Sequence, residues 1–223
     1  MPSPIVVFDL DGTLADTAGD LIKTLNIILD EQGLQQVPLD QARGLIGAGA
    51  RALIARGFAL DGQILEPQRT EELFQRFLTI YEDHLADTTE LFPGVITALD
   101  QLERHGFSFA VCTNKIERHS VMLLDKLGIR TRFAAICGRD TFAFYKPDPR
   151  HLIETITVSD GDIQRAIMIG DSRTDIDTAK AADVPVIAVP FGYTDVPVAK
   201  LGPDLVIEHF DQLVDGIGRL GFI

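Results

Sequence analysis

Short apolar runs punctuate the chain. The first is Ile5-Val6-Val7-Phe8, and similar runs recur at 107–112, 134–137, 166–169, 186–189 and 205–207. Brief, β-branched segments of this kind predict strands buried on both faces. Between them, positions 95–104, 116–127, 149–156 and 174–182 carry apolar residues at helical spacing. Strands alternating with helices predict an α/β fold, a doubly wound parallel sheet with helices on both sides. Gly106 and Gly128 fall where a helix C-terminus takes a left-handed residue.

The stretch from 16 to 86 breaks this rhythm. It offers no strand pattern, but helical spacing recurs at 20–32, 40–46, 50–56 and 66–84. In the last of these Leu73, Phe74, Phe77, Leu78 and Tyr81 mark one apolar face. The expected organisation is an α/β core from 1–15 and 87–223, interrupted by an all-helical cap at 16–86. The chain would rejoin the core near Leu91-Phe92-Pro93-Gly94.

Composition narrows the classes. With 46% hydrophobic and 24% charged residues and a mean hydropathy of +0.14, the chain has ample material for a soluble core. Its net charge of −13 argues against nucleic acid, because phosphate-backbone binding needs a basic surface. A small anionic substrate stays open, since a metal or local cations set the field inside a cleft. Met1-Pro2-Ser3-Pro4 lacks a basic leader, and no apolar run reaches bilayer length, so the expectation is a cytoplasmic protein without a membrane partner. Cys112 and Cys137 form no Cys-x-x-Cys pair and are expected to be buried, inert thiols. The five histidines are scattered without metal-ligand spacing.

Ligands of parallel α/β sheets bind outside the carboxyl ends of the strands, and the apolar runs end there in polar residues. After the first comes Asp9-Leu10-Asp11-Gly12-Thr13, two carboxylates on a loop that Gly12 allows to turn sharply. Thr113-Asn114 follows the second, a hydroxyl and backbone amides suited either to a phosphate oxygen or to an ordinary helix cap. Lys146 stands in Tyr145-Lys146-Pro147-Asp148-Pro149, whose prolines stiffen the approach to a helix. Gly170-Asp171-Ser172-Arg173-Thr174-Asp175 follows the run at 166–169, and Asp175 either serves the site or complements a helix N-terminus.

Together these groups say more than singly. Two unit charges ~4 Å apart repel by about 4 kcal/mol at an effective dielectric near 20. A domain has only roughly 5–15 kcal/mol of stability to lose. Converging aspartates therefore call for a hard divalent cation, and an all-oxygen site suits Mg2+ with phosphate. Lys146 and the Thr113 hydroxyl would then face a transferring phosphoryl group.

With Asp9-Leu10-Asp11-Gly12-Thr13, Thr113-Asn114, Lys146-Pro147 and Gly170-Asp171…Asp175 in order, the chain resembles the haloacid dehalogenase superfamily over essentially its whole length. The resemblance implies that Asp9 attacks phosphorus to form an aspartyl-phosphate, while Asp11 serves as acid and then base. It implies that Mg2+ is held by Asp9, Asp171 and the Asp11 carbonyl, with Asp175 in support. Thr113, the Asn114 amide, Lys146 and the Gly12 N–H would hold the phosphate. Asp11 favours a phosphate ester over a carbon–halogen or phosphonate substrate, because an oxygen leaving group needs a proton.

Gly47-Ala48-Gly49-Ala50-Arg51-Ala52-Leu53, the run 77–84 and the run from Phe191-Gly192-Tyr193 to 207 are similar to phosphoglycolate phosphatases. That likeness implies 2-phosphoglycolate as substrate, with Arg51 and Arg56 of the cap either meeting its carboxylate or lying solvated. A β-phosphoglucomutase-like transferase and a sugar or nucleotide phosphatase remain open on the same core. A phospho-accepting receiver domain would use similar acids but has no reason to insert a helical cap. The chain lacks the Gly-x-x-x-x-Gly-Lys-Ser/Thr loop of a nucleoside-triphosphate site. Either a monomer or a homodimer fits the sequence.

Overall fold

The computed structural model describes residues 3–47, 49–194 and 196–223. Ala48, inside the run 47–53 noted above, lies outside the described residues. Strand β1 (Ser3–Phe8) leads to the two-residue strand β2 (Ala15–Asp16), and helices α1 (Ala18–Glu31), α2 (Leu39–Ala42), α3 (Ala50–Leu60) and α4 (Pro67–Asp83) follow. The chain then returns through β3 (Glu90–Leu91), antiparallel to β2 with Ala15 opposite Leu91 and Asp16 opposite Glu90. Beyond it the α/β alternation resumes with α5 (Val95–Arg104), β4 (Ser108–Cys112), α6 (Glu117–Lys126), β5 (Ala135–Cys137) and α7 (Pro149–Val158). It closes with β6 (Gly161–Gly170), α8 (Arg173–Ala181), β7 (Val186–Ala188), β8 (Leu205–Val206) and α9 (Leu213–Arg219).

The main sheet has six strands in the order β5-β4-β1-β6-β7-β8, and every pairing in it is parallel. This is the doubly wound α/β fold expected from the alternation of apolar runs and helical segments. Period-two side-chain direction sorts the strands between two faces. Ile5, Val7, Ala110, Cys112, Ala166 and Met168 point to α7 and α8, where Leu152, Ile156 and Ile176 cover them. Val6, Phe8, Phe109, Val111, Ile167 and Ile169 point the other way, against Leu99, Leu102, Leu123 and Leu213. The second core continues without a break into the helical segment through Leu21, Leu25, Leu53, Phe74 and Phe77.

Local signals place the helix ends. Pro67 and Pro149 open α4 and α7, where a missing N–H costs nothing, and the Asp148 carboxylate caps α7 by accepting the Arg150 N–H. Gly106 and Gly128 take positive φ after α5 and α6. Both cysteines are buried and free, and burial pushes the Cys112 thiol up to about 12. Among the described residues, no helix is long and apolar enough to cross a membrane.

Where the chain returns from α4, a single carboxylate gathers the linker. Asp20 of α1 is fully buried. Its Oδ1 accepts the N–H and hydroxyl of Thr88 at 2.9 and 2.7 Å, and its Oδ2 accepts those of Thr89 at 3.2 and 2.6 Å. Asp20→Ala strands these donors without acceptors, so urea unfolding should show a loss of roughly 2–4 kcal/mol. A midpoint unchanged from the wild type would show that water replaces the carboxylate.

Candidate active site

The connections after β1 run to β4 and β5 on one side, and the later strands add on the other, so the order reverses between β1 and β6. This is the crevice in which open α/β sheets bind ligands. Asp9 leaves β1 here, its N–H donating to the Ile169 carbonyl of β6 at 2.9 Å. Asp171 leaves β6 beside it. The Asp171 Oδ1 accepts the Thr13 hydroxyl at 2.8 Å, and its Oδ2 accepts the Tyr193 N–H at 2.6 Å.

Glycines let two loops close on this carboxylate. A Cβ on Gly12 would stand 2.5 Å from the Asp171 Oδ2, and one on Gly192 would stand 2.3 Å from it. Gly12 also takes φ of +85°, a conformation that L side chains avoid. The Gly12 N–H, expected to meet phosphate, donates here to the Ala15 carbonyl at 3.0 Å and closes the turn.

Lys146 lies beneath the pair, only 2% exposed. Its Nζ is 3.1 Å from the Asp9 Oδ1 and 2.5 Å from the Asp175 Oδ1. Asp175 caps a helix and also joins the cluster. Its Oδ2 accepts the Ser172 N–H and hydroxyl at 3.0 and 2.7 Å, a capping box for α8, while its Oδ1 takes the lysine. The Leu10 N–H donates to the Asp9 Oδ1 at 2.7 Å. That oxygen is thus doubly held, and the Asp9 Oδ2 has no hydrogen-bond partner among the described residues.

The electrostatics are those of a cluster with too much negative charge. Burial pushes Asp9 up to about 7; the Lys146 charge pulls against this and the Asp175 charge adds to it. Burial, then Asp175 and Asp9, raise Asp171 well above the carboxylate range. Lys146 is raised too: burial works against its ammonium form, but Asp175 and Asp9 outweigh it. Carboxylate oxygens of Asp9, Asp171 and Asp175 all lie within 4.8 Å of one another. One lysine against three acids leaves a deficit of two positive charges, and the donor set is hard oxygen throughout. These residues fit a divalent cation such as Mg2+.

Asp11 turns its side chain away from that group. Lys115 holds both of its oxygens, at 3.0 and 3.2 Å, and also donates to the Tyr81 hydroxyl of α4 at 2.8 Å. The sequence reading passed over Lys115, because a lysine after Thr113-Asn114 looks like any lysine at a helix entrance. Nothing local announces a partner 104 residues earlier. Thr113 is buried, and the Asn114 Nδ2 donates to the Lys146 carbonyl at 3.0 Å, tying the β4 loop to the lysine loop.

Above these groups lies a cavity of ≈ 230 Å³. Asp9, Asp11, Thr113, Asn114 and Lys115 form its polar end, and Leu53, Phe74 and Phe77 of α3 and α4 supply apolar wall. Arg51 also lines it, paired with Glu71 at 2.8 and 3.1 Å and stacked 3.5 Å from the Phe74 ring centre. Arg56 is elsewhere, donating to the Leu45 carbonyl.

Known proteins are similar to this chain in sequence and fold. The sequence model for haloacid dehalogenase-like hydrolases matches residues 6–189. A phosphoglycolate phosphatase of Mesorhizobium japonicum is 49% identical over 213 residues, covering 96% of this chain and 94% of the relative. One of Agrobacterium fabrum is 48% identical, covering 96% and 92%. The crystal structure of a predicted phosphoglycolate phosphatase from Haemophilus somnus superposes with a TM-score of 0.87 at 26% identity, covering 96% of this chain and 98% of that one.

The raised carboxylates make stability depend on pH. Asp9 and Asp171 bind protons more tightly folded than unfolded, where such groups titrate near ~3.9. Their contribution is complete below about pH 4 and is lost as pH rises through about 7. Chelator-treated protein should therefore melt at progressively lower temperature between about pH 5 and pH 8. Added Mg2+ should offset more of the loss at the upper end. A melting temperature that climbs across that window without metal would contradict this electrostatic account.

Proposed function

The chain belongs to the haloacid dehalogenase-like hydrolases and is a phosphoric monoester hydrolase; on that premise we propose that it hydrolyses 2-phosphoglycolate, with Mg2+, through an aspartyl-phosphate on Asp9. The observation that carries the mechanism is the asymmetry of Asp9. Leu10 and Lys146 fix one carboxylate oxygen and leave the other unpartnered at the polar end of the cavity. The relatives named phosphoglycolate phosphatase, similar over nearly the whole chain, support the substrate.

In the first step the Asp9 Oδ2 forms a bond to phosphorus and the ester P–O bond breaks. Asp11 gives its proton to the departing oxygen, so glycolate leaves as the neutral alcohol at that atom. In the second step Asp11, now a carboxylate, takes a proton from water as its oxygen bonds to phosphorus. The bond to Asp9 breaks and inorganic phosphate is released. Lys115 keeps the Asp11 side chain aimed through contacts to both of its oxygens. Lys146 holds Asp9 against rotation, and Thr113 with the Asn114 backbone amide binds phosphoryl oxygens. Asp9, Asp171 and the Asp11 carbonyl, with Asp175 in support, would hold Mg2+, which would supply positive charge to the phosphoryl group. Residues 16–86 act as a cap: α3 and α4 close the cavity and exclude water from the reacting atoms.

Asp9→Asn keeps the shape of the side chain but removes the nucleophile. Phosphate release from 2-phosphoglycolate should fall below detection while the melting curve persists. Asp11→Asn should lower kcat by about 100-fold or more, the usual worth of a positioned acid–base group. Excess chelator should stop turnover and Mg2+ should restore it. The Asp9 assignment fails if the purified Asp9→Asn protein still turns over many times. A panel of small phosphate esters ranked by kcat/KM tests the substrate, and a strong preference for a sugar or nucleotide phosphate would overturn it.

A further inference from the structure

Arg139 follows Gly138, immediately past the end of β5, and lines the same cavity as Asp9, Asp11 and Thr113. Its backbone is fixed on several sides. The Arg139 N–H donates to the Lys115 carbonyl at 2.9 Å, and the Asp140 Oδ1 accepts the Glu117 N–H at 2.8 Å. Thr141 donates its hydroxyl to the Glu117 carboxylate. A Cβ at Gly138 would fall 2.2 Å from the Glu117 nitrogen, so the loop lies directly on the start of α6. The position from which Arg139 reaches into the cavity is therefore as well defined as the site itself.

The side chain differs from the other cations of the cavity. Lys115 is paired with Asp11, and Arg51 with Glu71. Among the described residues no carboxylate pairs with Arg139, whose guanidinium stacks 3.5 Å from the centre of the Tyr145 ring. Stacking orients the planar fork without neutralising it. Burial and, further, the nearby Arg51 charge hold its pKa below the ordinary arginine range. A half-buried cation that no carboxylate pairs with among the described residues, in a cavity that a second arginine also lines, is an arrangement that an anion relieves.

We propose that Arg139 is a specificity-determining residue that binds an anionic group on the leaving alcohol, the carboxylate of a phosphoglycolate-type ester. This deepens the function proposed above and rests on it. The cavity, ≈ 230 Å³, suits an ester of few atoms, and a guanidinium fork matches the two oxygens of a carboxylate. The phosphoryl group occupies the end near Asp9, Thr113 and Asn114, which leaves the Arg139 side for the rest of the molecule. Arg51, already held by Glu71, completes the positive rim from α3 rather than forming the main contact. A second phosphate would present the same chemistry to Arg139, so the test separates the two anions.

The experiment measures kcat/KM for 2-phosphoglycolate, a sugar bisphosphate and ethyl phosphate with wild type, R139Q and R139K. The ratio of 2-phosphoglycolate to ethyl phosphate should fall about 10- to 100-fold in R139Q, the cost of losing a charge-assisted contact. The loss should sit in KM, and R139K should recover part of it. Calorimetric titration of 2-phosphoglycolate into D9N and into D9N/R139Q should show the same weakening without any turnover. A wild type that prefers 2-phosphoglycolate while R139Q keeps the full preference overturns the role of Arg139 and leaves the substrate reading standing. A wild type with no preference for the carboxylate ester over ethyl phosphate overturns both. A larger loss on the bisphosphate than on 2-phosphoglycolate overturns the carboxylate assignment.

Discussion

Three carboxylates and one ammonium group, nearly all withdrawn from water, meet where β1 and β6 end, and the surrounding chain is arranged around their unequal charge. Asp9, Asp171 and Asp175 lie close together, and burial favours the protonated forms of Asp9 and Asp171. Lys146 compensates one of them. The Thr13 hydroxyl, the Tyr193 and Leu10 N–H groups and the capping box at Ser172 spread the rest over fixed dipoles. Every one of these donors comes from a loop at the carboxyl end of the sheet. The close approaches at Gly12 and Gly192 show how little room those loops leave. Such a cluster is an electrostatic liability in the free protein and an asset once a cation arrives.

The same loops connect the cluster to the helical segment. Tyr193 donates its N–H to Asp171 and its hydroxyl to the Asp16 Oδ1 at 2.6 Å, and that hydroxyl also accepts the Ala18 N–H at 2.8 Å. One residue thus touches the acid cluster and the point where the chain enters α1. Lys115 makes a second link, from Asp11 to the Tyr81 hydroxyl on α4. Asp20 gathers the returning linker at Thr88 and Thr89, next to the short β2–β3 ribbon. Movement of the helical segment relative to the sheet would have to pass through these contacts. On the proposed reading, closure over the substrate and the aim of Asp11 are therefore mechanically joined.

The sequence made some of this legible and hid the rest for physical reasons. The central strands were readable because both faces are buried, so Ile5–Phe8 and the run at 166–169 contain nothing but apolar residues. The first half of β6 was not, because Asp162, Gln164 and Arg165 carry no buried face. The strands β2 and β3 are two residues each, too short for any period to register. Helix α9 contains Gly216 and Gly218, which lower its intrinsic propensity, and tertiary packing overrides that cost. A Cβ at Gly216 would come 2.9 Å from Leu205, so the helix exploits the missing side chain to lie close to β8. The aspartates were readable as strand-end residues. Lys115 and Arg139 were not, because their significance lies in partners and spaces brought together only by the fold.

Charge neutrality gives the cavity its internal division. Asp9, Asp171, Asp175 and Lys146 carry a net deficit that a divalent cation would remove, and Lys115 sits against both oxygens of Asp11. On the proposed reading, the phosphoryl group would be met by oriented dipoles such as the Thr113 hydroxyl and by the cation it would share with the acids. A positive charge that no carboxylate pairs with, among the described residues, lies at Arg139, on the loop whose N–H the Lys115 carbonyl accepts. A substrate anionic at both termini would meet opposite shortfalls at the two ends of one small cavity. A singly anionic ester would satisfy only the first. In an apolar-walled space Coulomb interactions are less screened than in water, so the charge at the far end of an ester would bear on which esters bind.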